Sequence, residues 1–243
     1  MSTARPALRC ALSTHFIRPS RHRLNIPDMD LDTWNAPQPC PRSRSAGQRC
    51  IEQIAALLEG PGRRRSDPRG GTVAALPHAL QCAQLAEWAH AEVELIGAAL
   101  LHDLGHLLGS LGGPAPAGLD HAGQAARWLS QHWDDGLTEP VRLHSLAKRY
   151  LVGFDPRYGE ALSTPSLHSL AVQGGPMTPL EMRRFEALPH AGAAIKLRIW
   201  DDMAHHPGKS TPPLQHYLDL LERLLPTEPP RRSHLPIALQ TSA

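Results

Sequence analysis

The sequence predicts an all-α protein. Apolar residues recur at helical spacing through most of the chain, and no segment keeps four apolar–polar alternations of the kind that indicates a strand. Capping residues precede several of these segments, and the 24 prolines and 19 glycines gather mainly between them. With 243 residues the chain is long enough for one sizeable domain plus tails. We expect a single helical bundle without internal repeats.

Both ends of the chain are predicted to lie outside this bundle. Residues 1–48 are interpreted as a disordered or non-native N-terminal extension, because the first part is basic, rich in proline and without a clean amphipathic pattern. Residues 227–243 are interpreted as a disordered tail for a similar reason, since proline, serine and arginine dominate its beginning. The domain is therefore expected at 49–226.

The first half of the domain is expected to hold four helices, each with its own signal. A helix at 50–58 ends at a Gly-Pro-Gly stop, and Pro77 suits the first turn of the next. The apolar run from Glu92 to Leu107 predicts one continuous helix on which His102 and His106 align. Asp120 is a candidate cap for the helix that follows.

Threonine followed by proline marks most of the later helices. Thr138 is predicted to cap the helix that continues through Pro140, and Thr178 to cap another that ends near Leu188. Thr164, also followed by proline, opens a further helix. The remaining helices are predicted at 158–162, 190–204 and 213–225.

Composition excludes several functional classes. A net charge of +2 is too small to indicate nucleic acid or an anionic membrane as a partner. No run of about 18 apolar residues is present, so no membrane span is predicted. The 4 cysteines form no CxxC pair, which favours a reducing, cytoplasmic location.

The 15 histidines direct attention to metal binding. An apolar helical run ends in His102-Asp103, and a buried helix can hide an imidazole beside a carboxylate only through a salt bridge or a metal ion. Taken singly, each histidine is better interpreted as an ordinary core or surface residue. A series of donors on successive helices instead indicates a pair of hard metal ions. The candidate ligands are His78, His102, Asp103, His121, His144 and Asp201.

The order of these donors, His…His-Asp…His…His…Asp, resembles the pattern of the HD-domain superfamily over roughly residues 50–225. The resemblance implies an all-α HD-domain helical bundle with a dimetal centre. In that arrangement Asp103 bridges two cations about 3.5–4 Å apart. By the same resemblance, His78, His102 and Asp201 complete one metal site, while His121 and His144 complete the other.

Three segments, 143–151, 166–177 and 197–202, narrow the resemblance to the phosphonate-cleaving HD-domain mixed-valent diiron oxygenases. The three segments are similar to those of 2-amino-1-hydroxyethylphosphonate dioxygenase and, more distantly, to those of inositol oxygenase. The resemblance implies two iron ions in a mixed-valent Fe(II)/Fe(III) pair, with O2 as co-substrate. The expected reaction cleaves the C–P bond of a 1-hydroxyphosphonate to phosphate and a carboxylic acid such as glycine. A small organophosphonate is therefore the expected partner.

A phosphonate dianion needs cationic and donor groups beside the metals, and residues of those types stand about one helical turn from candidate ligands. Taken singly, Lys148 and Arg198 are equally well interpreted as solvated surface charges. The resemblance implies catalytic roles for His106 and Lys148. It also implies a substrate-binding set of His106, Lys148, Ser166, Ser169 and Arg198.

The chain departs from that family on the loop before the first histidine. The family has a tyrosine and a glutamate there, whereas this chain has Pro68 and Gly71. The sequence therefore leaves open whether the site recognises an amine on the substrate and whether this loop closes over the site. It also leaves the exact substrate open. Two alternatives also stay open: an HD-type metal-dependent phosphohydrolase acting on a phosphate ester or nucleotide, and a catalytically silent regulatory module.

Overall fold

The computed structural model of the protein describes residues 45–64, 73–111 and 121–226. These residues form α-helices joined by turns, with no β-strand among them, so the all-α prediction is confirmed. The helices are α1 (Ala46–Glu59), α2 (Pro61–Arg64), α3 (Ala75–Trp88), α4 (Val93–Leu101), α5 (Gly105–Leu108), α6 (His121–Leu129), α7 (Asp135–Phe154), α8 (Pro156–Glu160), α9 (Thr164–Val172), α10 (Pro179–Glu186), α11 (Ala191–Met203) and α12 (Leu214–Arg223), with a 3-10 turn at Gly109–Leu111.

Helix α4 lies at the centre of the bundle. Every residue from Leu95 to Leu101 is buried, and a helix that is apolar on all sides must be surrounded by other helices. It packs between α3 and α7, with α11 and α12 also in contact, while α7 packs in turn against α6 and α11. His102 and Asp103, which follow α4, therefore lie in the middle of the domain.

The apolar core has two main parts. The larger part joins α1, α3, α4 and α12 around residues such as Ile54, Leu101 and Leu221, which are fully buried. A smaller part lies between α7, α10 and α11, around Leu143 and Phe185. Truncating a buried leucine to alanine typically costs about 2–5 kcal/mol, so these contacts hold α7 and α11 firmly in place.

The helix predicted from Glu92 to Leu107 is interrupted. After α4 the backbone tightens, because Leu104 donates its N–H to Leu101 at 3.0 Å and Leu107 to Leu104 at 2.8 Å, both three residues back. Gly105 then lies so close to α6 that a Cβ atom would stand 2.0 Å from the carbonyl oxygen of His121. The prediction of one continuous helix was wrong because this close helix contact, which only glycine permits, is tertiary.

The start of α7 was also predicted wrongly. The helix begins at Asp135 with Asp134 as its N-cap, and Pro140 lies inside it. Thr138 does not cap the helix, because its hydroxyl donates to the carbonyl oxygen of Asp134 at 3.3 Å. The helix therefore starts one turn earlier than predicted, with Asp134 at the N-cap position but without a side-chain capping hydrogen bond.

Other predicted helix starts agree with the structure. Pro77 lies in the first turn of α3, and Thr178 caps α10 in a capping box with Glu181. The cap of α9 is Ser163, one residue before the predicted opening. The proposed cap Asp120 lies outside the described residues.

The predicted domain boundary at residue 49 falls inside α1. The helix begins at Ala46, and Ser45 and Gln48 form a capping box at its start. The rest of the predicted extension and the predicted tail at 227–243 lie outside the described residues. Among the residues that the structure describes, no helix is both long and apolar enough to cross a membrane.

Candidate metal centre

Five segments of the bundle bring the six predicted donors together. Helices α3, α6, α7 and α11 each contribute one donor, and the turn after α4 contributes two. The donor atoms form two groups whose members lie within 4.8 Å of one another. The first group is His78, His102, Asp103 and Asp201, and the second is Asp103, His121 and His144.

Backbone carbonyl groups orient three of the four imidazoles. A carbonyl oxygen only accepts, so each of these rings donates from Nδ1 and presents Nε2 to the interior of the site. The pairs are His78 with Ala204 at 3.0 Å, His102 with Ala99 at 2.9 Å, and His144 with Val141 at 2.6 Å. This is the usual arrangement of metal-binding histidines, whose second nitrogen is held by a carbonyl or carboxylate.

The Nε2 atoms face one another in two close pairs. His78 and His102 approach to 3.3 Å, and His121 and His144 approach to 3.2 Å. In a neutral ring that donates from Nδ1, Nε2 carries a lone pair. A cation between the two nitrogens of each pair could accept a lone pair from both rings, so the geometry fits two positively charged ions.

Asp103 stands between the two groups and divides its carboxylate oxygens between them. Its Oδ2 lies 3.6 Å from His102 Nε2 and 4.0 Å from His78 Nε2. Its Oδ1 lies 3.5 Å from His121 Nε2 and 3.8 Å from His144 Nε2. A carboxylate in this position can bridge two ions.

Asp201 completes the first group from α11. Its Oδ1 lies 3.2 Å from His78 Nε2 and 3.6 Å from His102 Nε2, and the residue is fully buried. Its other oxygen, Oδ2, lies 2.8 Å from Nη1 of Arg198, which is itself only 1% exposed. The guanidinium thus offsets part of the negative charge of the carboxylate.

Burial sets the protonation of the histidines before any ion binds. Desolvation, with His121 and His102 adding to it, lowers the pKa of His144 well below its usual range, so its ring is neutral. Burial also disfavours the charged form of His78, but Cys82 and Asp201 outweigh it and raise the pKa of His78 well above its usual range.

Four of the five predicted substrate residues lie on α5, α7 and α9. Lys148 is 3% exposed, and its Nζ donates to Oγ of Ser169 at 2.6 Å. Ser166, one turn earlier on α9, is also buried. His106 stacks on His121 with ring centroids 4.0 Å apart. His106 therefore contacts one of the donors directly, and the roles of all four residues stay predictions.

Arg198 has a more specific position than the sequence indicated. Besides Asp201, its Nε donates to Asp202 at 2.8 Å, and its Nη2 donates to the same carboxylate. Tyr158 on α8 donates its hydroxyl to Asp202 as well. The guanidinium is therefore held between two acidic residues, and its predicted contact with substrate would use its remaining donor capacity.

Known proteins resemble this chain over most of its length. Hydroxymethylphosphonate dioxygenase of Gimesia maris is 37% identical over 197 residues, which cover 75% of this chain and 91% of the relative. [1-hydroxy-2-(trimethylamino)ethyl]phosphonate dioxygenase (glycine-betaine-forming) of Leisingera caerulea is 34% identical over 177 residues, covering 71% of this chain and 90% of the relative. The chain belongs to the family of phosphonate-cleaving HD-domain oxygenases. The resemblance inferred from its motifs is confirmed, although no family model matches the chain.

Sequence reasoning missed two features of this oxygenase's centre. The Sγ of Cys82 lies 3.6 Å from Nε2 of His78, and His78, Cys82 and His102 form a third group of possible donors. The spacing of His78 and Cys82 by four residues was the available signal. His205 stacks on His78 with centroids 4.8 Å apart. No local pattern indicated this contact, because it depends on the path of the chain after α11.

Proposed function

We propose that the protein is an oxygen-dependent enzyme that cleaves the C–P bond of a 1-hydroxyphosphonate. The overall reaction balances as R–CH(OH)–PO3H2 + O2 → R–COOH + H3PO4. The observation that carries the proposal is the pair of donor groups sharing Asp103, in a chain whose named relatives are phosphonate dioxygenases. The phosphohydrolase alternative is not favoured, because neither named relative is a hydrolase.

We propose that the centre holds two iron ions. His78, His102 and Asp201 would bind one, His121 and His144 the other, and Asp103 both. Imidazole and carboxylate donors suit iron, and the Nδ1–carbonyl hydrogen bonds support the assignment by fixing the tautomers. A mixed-valent Fe(II)/Fe(III) pair, when bound, would supply the redox chemistry with O2 that this reaction requires.

We propose that the chain's own residues bind and orient the phosphonate. Lys148 would supply positive charge, and Ser166 and Ser169 would supply hydroxyl donors to the phosphonate oxygens. The 2.6 Å contact of Lys148 with Ser169 supports this set, because it draws a buried ammonium and a hydroxyl from two helices to one point. His106 would contact the substrate from the α5 side, which its stacking on His121 and its half-buried position support.

The proposed substrate class is a small 1-hydroxyphosphonate. The names of the two relatives describe phosphonates that share a hydroxylated carbon next to phosphorus. In the first compound this carbon otherwise carries only hydrogen, and in the second it carries a (trimethylamino)methyl group. This chain departs from the family at Pro68 and Gly71, on the loop before the first histidine. Both positions lie outside the described residues. Hydroxymethylphosphonate and 2-amino-1-hydroxyethylphosphonate are therefore the first two substrates to compare.

The deciding experiment measures phosphate release by iron-loaded enzyme under air and under argon. With either 1-hydroxyphosphonate, release should need oxygen and should produce the matching carboxylic acid. Methylphosphonate, which lacks the hydroxyl group, is the control substrate and should not react. Phosphate release that continues at full rate under argon would overturn the oxygenase proposal and favour a hydrolase.

A further inference from the structure

A three-residue loop after α11, Ala204–His206, holds His78 from the side opposite the donors. The carbonyl oxygen of Ala204 accepts from His78 Nδ1 at 3.0 Å. The ring of the next residue, His205, stacks on the His78 ring with an interplanar angle of 16°. One short loop therefore fixes the tautomer of this imidazole and the plane of its ring.

Gln81, on α3, holds that loop. Its Nε2 donates to the carbonyl oxygen of His206 at 3.0 Å, and its Oε1 accepts from the N–H of His206 at 3.0 Å. The side chain is 1% exposed, so it cannot exchange these bonds for water without a structural change. The amide thereby satisfies both backbone groups of one residue, as a neighbouring strand would.

The geometry points to Gln81 as the positioning residue for His78, acting through the Ala204–His206 loop. Gln81 and His78 are three residues apart on α3, and the loop hydrogen-bonds to both side chains. His206 binds Gln81, and Ala204 binds His78. Without the amide, the N–H of His206 would lose this partner, and its carbonyl oxygen would keep only the 3.3 Å hydrogen bond from the N–H of Lys209. The loop would then be held less firmly, and with it the Ala204 carbonyl that orients the imidazole. This inference rests on the proposed role of His78 as a metal ligand.

Gln84 provides a matched control on the same helix. It is also a buried glutamine on α3, and it reaches the same connection, but its Nε2 makes one longer bond to the carbonyl oxygen of Ser210 at 3.5 Å. Ser210 is four residues beyond His206 and has no described contact with His78. The comparison of Gln81 with Gln84 therefore separates the orientation of His78 from the general docking of this connection on α3.

The test is Gln81→Met, which keeps most of the side-chain volume and removes both hydrogen bonds, beside Gln84→Met. Each metal-free protein is titrated anaerobically with Fe(II) in competition with a chelator, and the thermal midpoint of the metal-free protein is recorded. Outer-shell substitutions typically reduce metal affinity by about 10–100-fold. We expect a loss of that size for one ion in Gln81→Met, with the second ion unaffected, and wild-type affinities in Gln84→Met. Gln81→Glu, which keeps the acceptor for the His206 N–H, should lose less.

Each outcome has a definite meaning. Wild-type affinity for both ions in Gln81→Met would overturn the role of Gln81 and leave the metal centre standing. An equal loss in Gln84→Met would also overturn it, because docking of the connection would then be the cause. A wild-type protein that binds no ion would overturn the metal assignment together with this inference. If Gln81→Met does not fold, an unchanged first-ion affinity in Gln81→Glu would count against the inference.

Discussion

Lys148 and Ser169 meet across two helices, with Nζ of the lysine 2.6 Å from Oγ of the serine. Lys148 is on α7, one turn beyond His144, and Ser169 is on α9. An ammonium that is only 3% exposed is costly to bury unless charged or polar partners surround it. A bound phosphonate dianion would be such a partner, so we expect the anion end of the substrate pocket at this contact.

Lys148→Ala should therefore impair turnover without removing metal. We expect a cost on the order of 2–5 kcal/mol in transition-state stabilisation, which is the range for truncating one partner of a buried charge pair. Iron content and kcat/KM for a 1-hydroxyphosphonate are the two measurements. Lys196→Ala, at an exposed position on α11, is the control and should match the wild type. Unchanged kinetics in Lys148→Ala would mean that the lysine does not bind substrate.

Asp103→Ala should remove both metal ions together. The carboxylate is the one group shared by the two donor sets, with Oδ2 turned to His102 and Oδ1 to His121. Its loss would also remove the negative charge that we expect to hold both cations. The check is iron per chain after desalting, with the exposed Asp219→Ala on α12 as control. Retention of two irons by Asp103→Ala would disprove the bridging role.

Much of this arrangement could be predicted because it is encoded locally. Apolar periodicity marks each helix, and caps such as Thr178 mark where helices begin. The donors lie on four helices and one turn of a single bundle, so their order along the chain was enough to suggest a shared site. The same information supports the metal assignment here, although the roles of the individual residues stay predictions.

The rest depends on contacts between segments far apart in the chain. The break after His102 reflects the approach of Gly105 to the backbone of α6, which no periodicity records. The hydrogen bonds between Gln81 and His206 join residues 125 positions apart. Arg198 was assigned to substrate through the resemblance, although Asp201 and Asp202 stand three and four residues after it on α11, where helical spacing could have indicated both ion pairs. The contact of Tyr158 with Asp202 became visible only once α8 and α11 were packed together. Side-chain pairing of this kind is tertiary information.

Tyr158→Phe should weaken the hold on Arg198. The hydroxyl donates to Asp202, which in turn accepts from Arg198, and burial raises the pKa of the phenol so that it stays protonated. A hydrogen bond to a charged group contributes about 1.5–3 kcal/mol. We expect lower stability toward urea and a higher KM for the phosphonate, with iron content unchanged.

Tyr150→Phe is the control for that experiment. Tyr150 also donates its hydroxyl to a carboxylate, that of Glu186 at 2.7 Å, but on α7 and α10 rather than beside Arg198. A comparable loss of stability without a change in KM is expected. An equal rise of KM in both variants would show that the effect is general loosening and not a displacement of Arg198.

Glu181→Gln tests how the start of α10 contributes to stability as pH changes. Hydrogen bonds from the Thr178 backbone and from Arg149 lower the pKa of Glu181 from 4.5 to about 2. Because the pKa of Glu181 is lower in the folded state than in the unfolded state, its carboxylate stabilises the fold fully above pH 4.5. This contribution to stability is lost as pH falls toward 2. The thermal midpoint of the wild type should exceed that of Glu181→Gln at pH 7, and the gap should narrow below pH 4.5. A gap that stays constant across this range would contradict the assignment.

Two N-terminal truncations should differ because only one of them removes the cap of α1. A chain beginning at Ser45 keeps the capping box, in which Gln48 donates its backbone N–H to Oγ of Ser45 at 3.1 Å and accepts from the Ser45 N–H at 3.0 Å. A chain beginning at Arg49, the predicted domain boundary, loses this box and places a cation at the start of the helix, where the macrodipole disfavours it. We expect the shorter chain to be less stable by about 1 kcal/mol in urea unfolding, the typical contribution of an N-cap. Since both chains lack everything before Ser45, the difference isolates residues 45–48, and equal unfolding midpoints would place the functional start of the bundle after them.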